Sequence, residues 1–432
     1  MAIFDKLQQP TSPQPTPHQQ EKLDGILSLV DKGEKYITLS GYAGVGKSFS
    51  ANYLVKQLQN KFSTIAISAT TNKALKVIKQ QVNVPYGVEY RTIHSILNIK
   101  AVNADSGEVT FAVDDYAEKK FYDVVIVDEV SMLNDELLDY IFDFSDNTIF
   151  IFIGDPMQLP PVNNDGISNV FNNDHHFTLT EIVRQAEGNP IIGVSMKIRE
   201  SINNNVRVTL QDLKEWIGVK NKTCIITSKS KALHWNIEAH KKGKDCRIMA
   251  YSNKTVLGYN AYLHRNLHPD AKLEYSIGET VIFQDLFQTT DGEFIMNSEE
   301  LKIDLINNIV YKGVESYEMS SGRYKFIVPK DMNNYEDKVA QHFAKWRSLK
   351  KCGDFKHARA ASALGWELKD SFANVRHTYA ITTHKSQGST FEIGVIDFAD
   401  LNGIWDDMEF NRALYVAFTR ASNNVIIIGN KN

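Results

Sequence analysis

Four short, β-branched apolar runs recur early in the chain: Tyr36–Leu39, Ile65–Ala69, Val124–Val127 and Ile149–Ile153. Each ends in a Gly- or Asp-containing turn, and helical spacing separates them, as in Leu23, Ile26, Leu27 and Val30 or across Phe49–Leu58. Runs this short, apolar throughout rather than alternating, predict strands buried on both faces of a parallel sheet. A second set, Arg247–Ala250, Gly394–Phe398 and Val425–Ile428, repeats the theme toward the C-terminus. Two α/β units are the economical reading.

Two stretches break the rhythm. Ile99–Val113 alternates around Asp105-Ser106-Gly107, which predicts a β-hairpin inserted at 97–121. From about Tyr275 to Pro329 the chain alternates again, with turns at Asp291-Gly292 and Ser321-Gly322, and a polar helical stretch follows over Tyr335–Leu349. This predicts a small antiparallel barrel with helices, inserted at 275–371. The Pro- and Gln-rich stretch 8–20 reads as an extended leader, giving way to the helix that carries Leu23. The resulting division is a leader at 1–16, a first unit at 17–185 and a second at 186–432.

Composition narrows the class without fixing a function. The 432 residues allow roughly three compact units, and 43% hydrophobic with 23% charged residues is ordinary globular usage. The net charge of −4 shows no global attraction to nucleic acid, although a local basic groove stays open. No apolar run approaches a membrane span, and no secretory signal is visible. Cys224, Cys246 and Cys352 are too few and too far apart for a disulfide framework or a four-thiolate zinc site. The expectation is a soluble protein of a reducing compartment.

The chemistry enters with Gly41-Tyr-Ala-Gly44-Val-Gly46-Lys47-Ser48, which fits G-x-x-x-x-G-K-[ST] between a predicted strand and a predicted helix. In that setting the glycines let successive backbone N–H groups converge on phosphate oxygens, Lys47 reaches the β- and γ-phosphates, and the Ser48 hydroxyl ligates Mg²⁺. Val124-Val-Ile-Val-Asp128-Glu129 supplies the second half. A carboxylate at the strand's end, Asp128, holds the Mg²⁺ water shell, and Glu129 suits a base that orients water against the γ-phosphate. ATP hydrolysis follows as the working expectation. Gln158, in Gly154-Asp-Pro-Met-Gln158-Leu-Pro-Pro-Val162, presents a neutral amide at a strand end, able to hydrogen-bond a γ-phosphate.

These strings, together with Thr382-Thr-His384-Lys-Ser386-Gln387-Gly-Ser-Thr390 and Leu414-Tyr-Val-Ala-Phe-Thr-Arg420, resemble the superfamily 1 helicases in identity and order. Within them the likeness is to the RecD-like 5′-to-3′ branch, and there to the Dda-type helicases of T-even phages. It runs from Thr16 to the C-terminus. It implies two tandem RecA-like P-loop domains, with a β-hairpin inserted in the first and an SH3-like barrel in the second. It also implies ATP and Mg²⁺ as cofactors, single-stranded and forked duplex DNA as substrates, and no membrane association. A phage source, a bacterial host's cytoplasm as location, and replication or recombination proteins as candidate partners follow from the same likeness.

The resemblance also implies roles by position. Gln19, in a Thr16-x-x-Gln pattern with Gln20 beside it, is similar to an adenine-reading glutamine. Thr71 and Asn72 resemble the first strand-contacting motif, with Thr70 where proline is usual; Thr92 and His94 resemble the next. Arg184 and Arg420, the latter after the strand-like run Tyr415-Val-Ala-Phe418, correspond to arginines acting on the γ-phosphoryl group from across a cleft. His384, Ser386 and Gln387 fall on a loop between nucleotide and strand, with Gln387 on the nucleotide side. Lys73 and Lys385 are candidates for a basic groove. Phe111, on the return strand of the hairpin, is a candidate wedge at the fork, with packing of the hairpin as the alternative. His175-His176 reads as a solvated loop without metal. An RNA helicase remains the rival within the class, and an AAA-type remodeller and a non-hydrolysing nucleic-acid-binding module are the rivals outside it.

Overall fold

The computed structural model describes residues 14–81, 87–103, 109–114, 118–144, 147–161, 166–183, 188–271, 273–289 and 291–430. Arg184, the hairpin turn 104–108, the leader up to residue 13 and the side chain of Phe111 lie outside the described residues.

Helix α1 (Pro17–Asp31) opens the chain, N-capped by Thr16 in a reciprocal capping box with Gln19. The first unit then lays down β1 (Tyr36–Gly41), α2 (Lys47–Leu58), β2 (Ile65–Ala69), α3 (Asn72–Gln81), β3 (Val88–Thr92) and α4 (Ile93–Ile96). The hairpin β4 (Ile99–Asn103)–β5 (Val109–Val113) follows, then β6 (Val124–Asp128), α5 (Asp135–Phe142), β7 (Ile149–Gly154) and β8 (His176–Leu179). Six strands form one parallel sheet in the order β3-β2-β6-β7-β1-β8. The apolar run of β7 shows why it is central. Ile149, Ile151 and Ile153 pack on the face covered by α1, α2 and α3, while Phe150 and Phe152 pack on the face covered by α4 and α5.

The second unit begins with α6 (Pro190–Asn203) and α7 (Leu210–Ile217), then β9 (Cys224–Ser228), α8 (Lys229–Lys241), β10 (Cys246–Ala250) and α9 (Asn253–Leu267). An insertion follows: β11 (Thr280–Phe283), β12 (Phe287–Gln288), β13 (Phe294–Ile295), β14 (Glu300–Lys302), β15 (Leu305–Tyr311), β16 (Val314–Ser321) and β17 (Tyr324–Pro329), then helices α10 (Met332–Lys351) and α11 (Phe355–Asp370). The chain returns through β18 (Val375–His377), β19 (Ala380–Thr382), α12 (Thr383–Ser386), β20 (Phe391–Asp397), α13 (Phe398–Leu401), α14 (Asp407–Thr419) and β21 (Ala421–Asn430). The second sheet is parallel, ordered β19-β10-β20-β21-β9.

Several expectations change. The insertion's strands form three small antiparallel sheets, β14-β11-β18, β12-β13 and β15-β16-β17, rather than one closed ring. Phe283, Phe287, Tyr317 and Phe326 hold the three sheets around a shared core. Its helical part is a two-helix hairpin whose first helix contains the polar stretch Tyr335–Leu349. The run Leu414–Phe418 resembles a strand but lies in α14, whose residues Phe410 to Phe418 are all buried. A helix enclosed on every side reads as continuously apolar, so its period is lost. His176 is exposed, as expected, but belongs to a strand and not to a loop. It sits in β8 with Nε2 2.7 Å from the Ser40 hydroxyl, and partial burial pushes its pKa down.

Candidate functional site

The site is assembled where the C-terminal ends of β1, β6 and β7 meet the second unit. After β1 the loop Gly41–Ser48 turns through two left-handed residues, Gly44 and Gly46, each at φ 85°. A Cβ on Gly46 would also come within 2.6 Å of the Gln19 amide nitrogen. That amide donates to Val45 O at 2.9 Å, while its Oε1 accepts from Thr16 N at 3.0 Å, so Gln19 clamps the loop to α1. The Lys47 ammonium folds onto the loop's own carbonyls, Gly41 O at 2.7 Å and Tyr42 O at 3.1 Å.

At the end of β6, Asp128 is half-buried. Burial, and next the neighbouring Glu129, push its pKa up to about 7, against the pull of Lys47 and of the Glu129 amide, which donates to Oδ1 at 2.8 Å. Glu129 takes a left-handed conformation (φ 54°) that turns its side chain toward the second unit. Its Oε1 lies 3.7 Å from Nη1 of Arg420, the residue that caps α14, and its buried Oε2 has no hydrogen-bond partner among the described residues. Gln158 Oε1 and Arg420 Nε are likewise buried without partners. A buried polar atom left unpaired costs about 1–3 kcal/mol, so three around one opening mark a place prepared for a polar ligand. The opening is a cleft of about 620 Å³, lined by the phosphate loop, Gln19, Asp128, Glu129, Asp155, Gln158, Thr419 and Arg420. That volume is ordinary for a nucleotide-sized ligand.

Sequence reasoning missed how the second unit grips the loop after β7. Tyr415 of α14, fully buried, donates to Asp155 Oδ2 at 2.7 Å and accepts from Ala43 N of the phosphate loop at 3.2 Å. Arg412 Nη1 donates to Gln158 O at 2.8 Å. Leu159 is buried inside the second unit's core among Val194, Ile198 and Phe410. Burial pushes the pKa of Asp155 up. Both Asp155 and Tyr415 lie inside the strings quoted above, but only the fold shows that they touch. Arg199 of α6 also stacks on Tyr42 of the phosphate loop, 3.6 Å from the ring centroid.

The remaining candidates separate. Gln387 is not among the cleft's lining residues; its amide donates to Leu159 O at 3.0 Å, so it braces the loop rather than facing the nucleotide space. Ser386 is fully buried and its hydroxyl donates to Thr383 O at 2.7 Å, a helix-internal contact that leaves nothing for a strand. Thr71 and Asn72 begin α3, with the Thr71 hydroxyl accepting from Ala74 N at 3.2 Å. Thr92 caps α4, accepting from Ser95 N at 3.3 Å. His94 and His384 are half-buried, and burial lowers the pKa of each. Lys73 is not a free groove cation. It pairs with Glu300 of β14 at 2.7 Å, and Glu300 also pairs with Arg247 of β10 at 2.9 Å, so one half-buried carboxylate ties both units to the insertion. Lys385 donates to Gln284 Oε1 at 2.5 Å, and burial lowers its pKa. Phe111 pairs with Ala101 across the hairpin by its backbone.

Away from the cleft, His264, Glu279 and His377 bring one potential metal-ligating atom each within 4.8 Å of one another. Glu279 already accepts from both imidazoles and from Ser276 N at 3.1 Å, so the group is a filled hydrogen-bonded hub at the root of the insertion.

Comparison with known proteins agrees with this layout. Residues 16–217 match the model of an AAA domain, and residues 377–428 that of a UvrD-like helicase C-terminal domain. The chain is 24% identical to the ATP-dependent DNA helicase dda of Enterobacteria phage T4, covering 96% of this chain and 99% of that protein. It is equally 24% identical to an uncharacterized protein of Acanthamoeba polyphaga mimivirus, covering 94% and 98%. The ATP-dependent RecD2 DNA helicase of Deinococcus radiodurans matches 38% of this chain at 28% identity. Among solved structures, a Bacteroides Pif1 bound to ssDNA aligns with 96% of this chain and 92% of that one, at 18% identity and a TM-score of 0.48.

Proposed function

The chain belongs to superfamily 1 of the helicases, near the Dda type, and on that premise we propose that it is an ATP-dependent DNA helicase, moving 5′-to-3′ along single-stranded DNA and unwinding forked duplexes. The observation that carries the reading is the meeting of both units on one phosphate loop. Lys47, Asp128 and Glu129 come from the first unit, and Arg420 and Tyr415 from the second.

The residues fit a Mg²⁺–nucleotide. A cation beside Asp128 would restore the ionised form that burial and Glu129 oppose. Ser48 and Asp128 would hold Mg²⁺, which when bound neutralises charge shared by the β- and γ-phosphates. The amides about Gly44 and Gly46 cradle phosphate oxygens, and Lys47 exchanges its loop carbonyls for them. Glu129 Oε2 orients the attacking water and takes its proton. Arg420, with Arg184 assigned to the same task, spreads positive charge over the transferring phosphoryl group. Gln158 reads the γ-phosphate. Because Asp155, Gln158 and Leu159 are held by Tyr415, Arg412, Gln387 and the second unit's core, loss of that phosphate shifts the units relative to one another. Repeated closing and opening then steps the strand past Thr71, Asn72, Thr92, His94 and His384, and Phe111 parts the fork.

Replication or recombination proteins are the partner class that suits such an enzyme. Among the described residues no helix is long and apolar enough to cross a membrane. A bacterial host's cytoplasm is the proposed location.

One experiment tests the reading: ATPase rate without polynucleotide, with single-stranded DNA and with RNA, beside unwinding of duplexes tailed at only the 5′ or only the 3′ end. Stimulation by DNA and unwinding from the 5′ tail are expected. Stimulation by RNA alone would replace the substrate, and unwinding only from the 3′ tail would reverse the polarity.

A further inference from the structure

Helices α10 and α11 form a hairpin standing on the β15–β17 sheet. Its base is seated, with Tyr335, Leu368 and Phe372 packed against Val314 and Ile327. Toward the turn this support ends: the last buried side chain of α10 is Phe343, and the first of α11 is Ala358. The segment from Lys345 to Arg359 carries an unusual charge. Lys345, Arg347, Lys350, Lys351, Lys356 and Arg359 face the single carboxylate of Asp354, a local net of +5 in a chain whose net charge is −4. All six cations are exposed, and none forms an ion pair among the described residues. Asp354 is occupied with capping α11 and pairing with His357 at 2.8 Å.

The fold accounts for only two of these charges. Lys350 and Lys351 sit in the last turn of α10, where the helix dipole favours cations. Lys356 and Arg359 sit in the opening turns of α11, where it opposes them, and no acidic residue stands in that first turn. Arg347 and Lys351, four apart, and Lys356 and Arg359, three apart, repel as neighbours on their helices. A concentration that weakens the isolated hairpin is accounted for by a polyanion that neutralises it.

We infer that the hairpin tip binds the phosphate backbone of duplex DNA, as a contact separate from the cleft between the units. Single-strand sites combine a groove with aromatic platforms. At this tip one aromatic, Phe355 at 67% exposure, stands clear, while the Trp346 ring has the Lys350 ammonium 5.0 Å from its centroid. A duplex presents one charge per about 1.7 Å of axis, roughly twice the density of either strand alone, which suits six cations gathered at one end. The tip thus adds a grip on the arm still to be unwound, and it does not depend on the ATP chemistry.

The test uses the full chain carrying Lys350→Gln, Lys351→Gln, Lys356→Gln and Arg359→Gln together, titrated with a short blunt duplex and with oligo-dT at several salt concentrations. Duplex affinity should fall about tenfold or more at low salt, and the slope of log K against log salt should flatten by about 0.9 for each phosphate that is no longer neutralised. Affinity for oligo-dT and DNA-stimulated ATPase should stay within about twofold of the parent, far inside the shift expected when several phosphates go without a cation. A second measurement leaves the charges intact. Cys352 is exposed at the turn while Cys224 and Cys246 are buried, so a dye on Cys352 reports the tip. Its emission should respond to the blunt duplex and not to oligo-dT. Unchanged duplex affinity in the variant, equal losses for duplex and single strand, or a dye response to polyglutamate matching that to duplex would each overturn the assignment, the last in favour of an acidic protein surface.

Discussion

Replacing Tyr415 by Phe removes one oxygen from the junction between the two units and nothing else. The ring stays in its enclosed place, so no cavity opens. The Asp155 carboxylate is deprived of the donor at 2.7 Å, and the Ala43 amide of the acceptor at 3.2 Å. Asp155 keeps Met157 N at 3.0 Å, so it is left only partly unsatisfied. An unpaired buried polar group costs about 1–3 kcal/mol, which places the two effects together at about 2–3 kcal/mol. At about 1.4 kcal/mol per factor of ten, the closed arrangement becomes about 30- to 150-fold less favoured. Because Lys47 and the loop glycines Gly44 and Gly46 make no contact with this hydroxyl, the KM for ATP should change little while kcat of the DNA-stimulated ATPase falls by about that factor. The double-mutant cycle with Asp155→Asn should give a coupling energy of about 1–2 kcal/mol. A kcat within about twofold of the parent, a rise in KM with kcat unchanged, or strict additivity in the cycle would show that the hydroxyl does not link the units.

Four further expectations follow from the same geometry. Lys47→Ala should abolish nearly all ATP turnover while single-strand binding persists; retained DNA-stimulated hydrolysis would remove Lys47 from the site. Arg420→Ala should cut kcat by roughly two orders of magnitude or more with nucleotide affinity nearly intact, because in the ground state Arg420 sits 3.7 Å from Glu129; equal decreases in both would make it a ground-state ligand. Phe111→Ala should keep DNA-stimulated ATPase and movement on single strands but lose unwinding, since stacking on a terminal base is worth about 1–3 kcal/mol; unwinding per ATP at the parental level would return Phe111 to hairpin packing. The Glu279 hub predicts an acid limit. Burial pushes this carboxyl up, but hydrogen bonds from His264 and His377 prevail and hold it at about 2, below the usual 4.5. A depressed carboxyl stabilises above its unfolded pKa, so about 3 kcal/mol should be present at neutral pH and lost as pH falls from about 4.5 toward 2. Denaturant melts across that range should lose this slope in Glu279→Gln, and an unchanged slope would discount the hub.

What the sequence determined by itself was whatever depends on short range. The phosphate loop is a contiguous string whose glycines are required by their own backbone angles, as Gly44 and Gly46 at φ 85° illustrate. Strands buried on both faces, such as β2, β6 and β7, announce themselves because every position must be apolar. The strands that pattern did not predict, β3, β8, β9 and β19, are the four edges of the two sheets. An edge strand is half-exposed, or in β19 only three residues long, and leaves no unbroken run to read. The enclosed helix α14 was misread for the opposite reason, being apolar on all sides. Contacts between distant segments were beyond reach altogether. Nothing in the string Leu414–Arg420 says that Tyr415 joins Ala43 to Asp155, and nothing around Lys73 says that Glu300, 227 positions on, takes its charge. Local backbone preference and burial are written residue by residue. Which polar side chains spend their hydrogen bonds on one another, and which are left for a ligand, is decided only when packing brings the units together.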